Sequence, residues 1–259
     1  MKRKVFLAGC IAMALSVPVA RASDWVEPGG GVWAQIMDQG GARTTFTLTN
    51  LDTVPAPYTV YFYDNNGNPL VLSTTASTGT TTSLSGTIPL NGAVEFATNG
   101  PATSALVQGY AVLVTNNLIA GSAIFGLPIG TGFYESTCPL DTGTDYYFGV
   151  PFDHTVAGTV VGVALANSYG YAPLTITETA YDQSGNKLAT GTITLASGTH
   201  EAFLLTDPTL GFPALAGKKG TIWFSGADSF GNPAYLNVLG VRATTSTYTS
   251  IVPIIPAGD

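Results

Sequence analysis

Histidine is scarce in this chain, so acid–base chemistry based on it has only two candidates. His154 follows Asp153, and His200 precedes Glu201. Neighbouring residues of a strand face opposite sides of a sheet, so neither pair can form an acid–histidine dyad within a strand. The sequence contains no Gly-x-Ser-x-Gly motif for a nucleophilic serine, and no histidine and cysteine spacing typical of zinc. We therefore interpret both histidines as loop or strand-end residues.

Carboxylates in or near predicted strands are the second candidates, because a pair of them can cleave glycosides. These acids are Glu95, Glu135, Glu178 and Glu201. When the two halves of the chain are aligned, Glu178 takes the place of Val60 on the face predicted to point inward. A buried carboxyl there is a conflict of the kind that can mark a functional site, whereas an alignment in the wrong register explains it equally well. We expect no enzyme, with a glycoside-active enzyme as the alternative.

An oxygen-rich turn invites a calcium hypothesis. It reads Asp64-Asn65-Asn66-Gly67-Asn68-Pro69, and hard cations bind Asp and Asn oxygens. The EF-hand pattern fails because proline replaces its glycine and no glutamate occupies the twelfth position. A plain turn is favoured, since glycine can adopt positive φ and the aspartate can accept backbone hydrogen bonds. We expect neither a metal nor a cofactor.

Exposed aromatic side chains are the last candidates, because carbohydrate-binding sandwiches stack sugar rings on them. Strand alternation predicts Tyr61, Tyr63 and Tyr181 on outer faces, which makes them possible ligand-binding residues. The alternative is that these tyrosines pair across strands or cover the interface between the two halves.

The elements that must position these residues are predicted to be strands. Residues 45–50 and 58–63 alternate with period two, which places Phe46 and Leu48 on one face and Val60 and Phe62 on another inward face. Only 10% of the residues are charged, and no window has helical spacing of polar residues. Residues 73–85 form a Thr/Ser-rich tract that we interpret as an ordered polar edge.

The sequence predicts an internal duplication, in which one β unit occurs twice. The turn at Asp64 has a near-copy, Asp182-Gln183-Ser184-Gly185-Asn186, 118 positions later, and further matches follow at offsets between 105 and 118. Short strands separated by Gly, Pro and Asn turns are typical of antiparallel sandwiches. The fold class is therefore all-β, with two tandem antiparallel immunoglobulin-like β-sandwich domains from an internal duplication. They are expected at residues 32–140 and 145–259.

The first residues predict export. A basic start, an apolar run and Ala20-Arg21-Ala22 indicate a signal peptide over residues 1–22, and residues 23–31 read as a flexible N-terminal arm. A lipobox-like segment ending at Cys10 leaves lipidation as the alternative. After cleavage Cys138 is the one remaining cysteine; it is either a small buried residue or an intermolecular partner.

Charge narrows the classes of partner. Five basic residues against sixteen acidic ones remain after cleavage, a net charge near −11. Such a surface repels phosphate backbones and anionic lipids, and no apolar run of about 18 residues predicts a spanning helix. We therefore expect neither nucleic-acid binding nor a membrane span. The expected location is extracellular or on the cell surface, with the periplasm possible.

Segments of both halves resemble a duplicated β-sandwich (Ig-like) region of secreted bacterial proteins. They lie at Tyr63-Asp64 with Gly67-Asn68-Pro69-Leu70, and in residues 158–167, 200–205 and 217–221. The resemblance implies the sandwich fold and carries no catalytic residues. With the low charge and Thr-rich edges it predicts a non-catalytic structural or adhesion protein of the cell surface or matrix. Strand addition would allow self-association into filaments or pairing with other surface proteins; a carbohydrate-binding module, with polysaccharide as partner, is the alternative.

Overall fold

The computed structural model describes residues 30–130, 132–168, 172–244 and 247–256. The predicted signal peptide and nearly all of the predicted N-terminal arm lie outside these residues. The described chain is all-β, as predicted, with a three-residue 3-10 helix at Pro213–Leu215. Among the described residues, no helix is both long enough and apolar enough to cross a membrane. The first half contains β1 Gly31–Asp38, β2 Arg43–Asn50, β3 Ala56–Asp64, β4 Leu72–Ser73, β5 Thr80–Thr81, β6 Ser83–Ile88, β7 Ala93–Ala97, β8 Val107–Val114, β9 Ile119–Ile129 and β10 Gly132–Pro139. The second half contains β11 Tyr147–Asp153, β12 Val160–Ala166, β13 Leu174–Asp182, β14 Lys187–Leu195, β15 His200–Leu204, β16 Lys219–Ala227, β17 Asn237–Ala243 and β18 Tyr248–Ile251.

These strands form four antiparallel four-stranded sheets. Sheet I has the order β1-β8-β3-β6 and sheet II the order β10-β9-β2-β7; sheet III has β11-β16-β13-β14 and sheet IV has β15-β12-β17-β18. Strands β4 and β5 pair separately. Sheets I and II share one hydrophobic core, and sheets III and IV share a second. We call the two sandwich-like pairs of sheets the first unit and the second unit.

The alternating strands bury the side chains that the sequence pattern predicts. Phe46, Leu48, Val60 and Phe62 are all fully buried in the first core. Phe46 stacks on Phe96 with ring centroids 5.0 Å apart. The Thr/Ser-rich tract ends in β6, which is the edge strand of sheet I, as expected for an ordered polar edge.

The two units are packed against each other. Every residue of β1 is buried, because one face of this strand lines the first core and the second unit covers the rest. Ala164, Leu239 and Val241, on the outer face of sheet IV, complete the apolar cluster of the first unit. The connecting segment is also fixed, since Val32 and Asp141 exchange two backbone hydrogen bonds of 2.8 and 2.9 Å.

Candidate functional site

The three tyrosines predicted to bind ligand do not form one site. Tyr63 is only 5% exposed and stacks on Tyr110 at a centroid distance of 5.1 Å. This pair packs with Ala166 of the second unit, and the half-buried Tyr61 packs against the same cluster. Tyr181 lies half-buried on the second unit, on sheet III. The expectation that Tyr63 faces solvent is wrong, because the second unit covers the outer face of sheet I at this point.

His200 lies at the contact between the units. It is fully buried, with Nδ1 2.9 Å from Oδ1 of Asn65 and Nε2 3.2 Å from Oε1 of Gln35, both in the first unit. Burial lowers the pKa of His200 to about 4, so the ring is neutral at pH 7. A neutral imidazole has one N–H, so one of these two amides must present its NH2 group to the ring. The ring therefore joins two surfaces, and among the described residues its side-chain partners are these two amides and no carboxylate that would make it a base.

The turn at Asp64, the calcium candidate, forms part of the first unit's side of this junction. The Asp64 carboxylate accepts hydrogen bonds from the backbone N–H of Asn66 and Asn68, at 2.9 and 2.8 Å. Its oxygens are therefore held by amide donors, as the plain-turn interpretation predicts. Asn65, at the tip, accepts the backbone N–H of His200 at 3.0 Å. Gly67 has φ of 77°, and a Cβ there would overlap the carbonyl oxygen of Gly198.

Other polar groups reinforce this junction. The hydroxyl of Tyr110 donates to the carbonyl oxygen of Gly198 at 2.7 Å. On the opposite side Nδ2 of Asn237 donates to Oδ2 of Asp141 at 2.8 Å. Burial raises the pKa of Asp141, although the Asn237 hydrogen bond acts in the opposite direction. The junction therefore combines apolar packing with buried, directional hydrogen bonds.

A cleft of about 270 Å³ opens beside the same junction. Its wall is mostly apolar, with Gln35 and Gln108 as polar groups; the other principal lining residues are Met37, Phe125, Phe203, Leu204, Val241 and Tyr248. Concave apolar spaces of this size can accept a small apolar ligand. Neither Glu178 nor a histidine lines the cleft, so it does not combine with the candidate acids into an active site.

Glu178 occupies the inward position that the alignment with Val60 predicts. It is 2% exposed, and its Oε1 atom has no hydrogen-bond partner among the described residues. It stands opposite Gly191 on β14, where the missing side chain leaves room for Phe212. Burial raises the pKa of Glu178 to about 8, so the carboxyl is protonated at pH 7. A raised pKa is typical of general acids, but this group lies in the second core rather than in a cleft.

The remaining candidate residues are dispersed. Glu95 and Glu135 lie on sheet II, where Glu135 is 3.8 Å from Arg43, and Glu201 lies on sheet IV. Nδ1 of His154 is 3.1 Å from the carbonyl oxygen of Leu215. Within the described residues, no group of three or more His, Cys, Asp or Glu side chains is placed to hold a metal ion.

Cys138 is a buried residue of the first core. It is 1% exposed, and burial raises the pKa of its thiol to about 12. This position fits a small core residue and not an intermolecular disulfide.

Sequence reasoning missed two features. Asp228-Ser229-Phe230-Gly231-Asn232 is a third turn with the same aspartate hydrogen bonds, and Phe230 at its tip is 88% exposed. The repeated Asp-x-x-Gly-Asn spacing was the available signal. The other missed feature is a pair of stacked rings, the exposed Tyr147 and the half-buried Trp223, with centroids 4.9 Å apart. The signal for this pair is that Gly149 stands opposite the large Trp223, and this becomes visible only when the pairing of the two strands is known.

No family model matches the chain, and no curated protein matches it either.

Proposed function

We propose that this chain is an exported, non-catalytic structural or adhesion protein of the cell surface or extracellular matrix. In this proposal two immunoglobulin-like domains arose by duplication, and copies of the protein join by strand addition. The matching strand orders of sheets I and III, and of sheets II and IV, support duplication. So do Gly109 and Gly220, where a Cβ would overlap the carbonyl oxygens of Tyr63 and Tyr181, respectively.

The observation that carries strand addition is the outer edge of β14, on which no described strand is paired. This nine-residue strand ends sheet III and pairs only through β13 in the sheet order. Gly149 on the opposite edge exchanges both of its backbone hydrogen bonds with Ile254, at 2.8 and 2.7 Å. Gly149 is therefore not hydrogen-bonded to Trp223, its partner on β16. In antiparallel sheets hydrogen-bonded and non-hydrogen-bonded pairs alternate, so this one pair determines which way each backbone N–H and C=O group points across the sheet.

This alternation continues across β16 and β13 to β14. Trp223 is hydrogen-bonded to Thr179, so Thr179 is not hydrogen-bonded to Thr190, the residue opposite it on β14. The backbone N–H and C=O groups of Thr190, Thr192 and Thr194 consequently point away from the sheet. A long row of unpaired groups of this kind is a template for another strand.

A proline on this edge tests the proposal. Thr192→Pro removes one outward N–H without removing a ladder hydrogen bond, and Thr192→Val is the matched control because it keeps that N–H. We expect the mature protein and the valine variant to self-associate at high concentration, and the proline variant to remain monomeric, in sedimentation velocity and electron microscopy. A mature protein that stays monomeric at every concentration, or an assembly unaffected by proline, would refute strand addition through β14.

The N-terminal arm is the candidate donor strand. Deleting residues 23–29 leaves β1 intact and, if the arm adds to β14, abolishes assembly to the same extent as Thr192→Pro. Assembly that survives the deletion but not the proline variant would assign the donor strand to another part of the chain.

Carbohydrate binding through Tyr61, Tyr63 and Tyr181 together is not favoured, because the structure separates these tyrosines and buries Tyr63. A different aromatic surface supports the carbohydrate alternative.

A further inference from the structure

The outer face of sheet III carries a regular array of hydroxyl groups. Three pairs of threonines stand directly opposite each other on β13 and β14: Thr175 with Thr194, Thr177 with Thr192, and Thr179 with Thr190. Five of the six are exposed and Thr179 is half-buried, and Oγ1 of Thr179 lies 3.3 Å from Oγ1 of Thr190. The pairs repeat about every 6.8 Å along the strands, and members of a pair are roughly 5 Å apart. Ser225 of β16 extends the Thr177 row.

Aromatic rings border this array on the same face. Trp223 is the β16 neighbour of Thr179, and its ring lies over Gly149, where a Cβ would come within 2.8 Å of the indole. Tyr147 stacks on the indole with an interplanar angle of 12° and is 38% exposed. Tyr181, one residue pair further along β13, lies close enough to Tyr147 to raise its pKa in addition to the effect of burial. The glycine and the stack together hold a rigid aromatic platform against the sheet.

The corresponding face of the first unit is not available. On sheet I the outer face presents Tyr63, Tyr110 and Val112, and the second unit packs on this cluster. On sheet III the outer face carries threonines and the aromatic pair instead, with part of each side chain in solvent. The covered face of sheet I is thus apolar, whereas the open face of sheet III is rich in hydroxyl groups. A hydroxyl-rich open face suits a polar partner.

We propose that the outer face of sheet III binds a neutral polysaccharide chain, with one sugar ring on the Tyr147–Trp223 platform and the following sugars along the threonine pairs. Sugar rings offer apolar C–H faces to aromatic rings and hydroxyl groups to threonine hydroxyls. The repeated threonine pairs match a polymer of repeating units. The inference names the partner of the adhesion role proposed above and in that respect rests on it.

The charges of the protein favour a neutral polymer over an anionic one. The three rows of sheet III that contain Thr175, Thr177 and Thr179 include no charged side chain among the described residues. The mature chain is strongly acidic, which repels anionic polysaccharides at a distance. Binding is therefore expected to be nearly independent of salt.

The test is retention of the purified mature protein on insoluble cellulose, chitin and β-1,3-glucan, with alginate as an anionic comparison. We expect retention on at least one neutral polymer, and a loss of roughly tenfold or more in affinity for Trp223→Ala and for Tyr147→Ala. Thr177→Ala, which lies away from the β14 edge, should weaken binding by a smaller factor. Phe133→Ala is the control, because it removes an aromatic ring that is 41% exposed on the first unit. Circular dichroism and the Tm of each variant establish that it is folded.

The outcome is separable from that of strand addition when retention is also measured with the variant that lacks residues 23–29, because this variant keeps every residue of sheet III. Retention by this variant, together with its loss in Trp223→Ala, supports the polysaccharide face whatever happens to assembly. No retention on any neutral polymer, preference for alginate, or full retention by a Tyr147→Ala, Trp223→Ala double variant would overturn the inference. Assembly of the wild type without polysaccharide binding would leave the structural role in place and remove only this partner.

Discussion

At the scale of single residues, one carboxyl group determines how the second core responds to pH. Burial raises the pKa of Glu178 from its ordinary 4.5 to about 8. Because the folded-state pKa is the higher one, the full stability is present below about pH 4.5 and is lost as the pH rises through 8. Ionisation inside an apolar core without a hydrogen-bond partner for Oε1 is the physical cause.

Replacing this carboxyl by a neutral group of the same shape should remove the alkaline loss. Between pH 5 and pH 9 we expect the free energy of unfolding of the wild type to fall by a few kcal/mol relative to Glu178→Gln. The amide adds an offset that does not vary with pH, so the slope is the readout. Glu95→Gln, at an exposed position, is the control. Parallel curves for wild type and Glu178→Gln in urea titrations would contradict the burial of an unpaired acid.

At the scale of elements, two turns with the same sequence pattern have different surroundings. Gly67 and Gly185 have φ of 77° and 80°, so alanine strains both by about 1 kcal/mol. A Cβ at Gly67 also overlaps Gly198 of the second unit, whereas nothing lies within 4 Å of one at Gly185. We expect Gly67→Ala to lower the free energy of unfolding by roughly 1–3 kcal/mol more than Gly185→Ala. Equal losses in matched denaturation curves would show that the first turn does not dock.

These turns also show which part of the structure the sequence could predict. Local signals, the Asp and Gly of each turn and the alternation that buries Phe46 and Phe62, were sufficient for strands and inward faces. The alternation equally predicts an outer face for Tyr63 and Tyr181, but it does not indicate that another unit covers Tyr63. Coverage depends on how sheet IV meets sheet I, and contacts at this boundary join residues far apart in the sequence, from 88 positions for Tyr110 and Gly198 to 165 for Gln35 and His200. The threonine pairs were likewise visible as two alternating runs, yet their alignment required the register between β13 and β14.

At the scale of the whole molecule, the junction makes the two units stabilise each other. His200 connects them through Asn65 and Gln35, and Tyr110 donates a hydrogen bond across the same boundary. Removing one partner of a buried hydrogen bond leaves the other partner unsatisfied, which costs free energy. The units should therefore not separate while these hydrogen bonds remain intact. At pH 7 we therefore expect a single unfolding transition in calorimetry, which is the condition for using one free energy of unfolding for the whole chain.

Acid should weaken this junction before it unfolds either core. Burial lowers the pKa of His200 from 6.5 to about 4, so its contribution is complete above about pH 6.5 and is lost as the pH falls towards 4. The difference corresponds to about 3 kcal/mol. His200→Gln cannot be protonated and should flatten the free energy of unfolding between pH 6.5 and 4 relative to wild type. In the wild type the calorimetric transition should broaden or split in the same window as the units lose their coupling. A wild-type profile that coincides with that of His200→Gln throughout this range would mean that the imidazole is not confined between the two units.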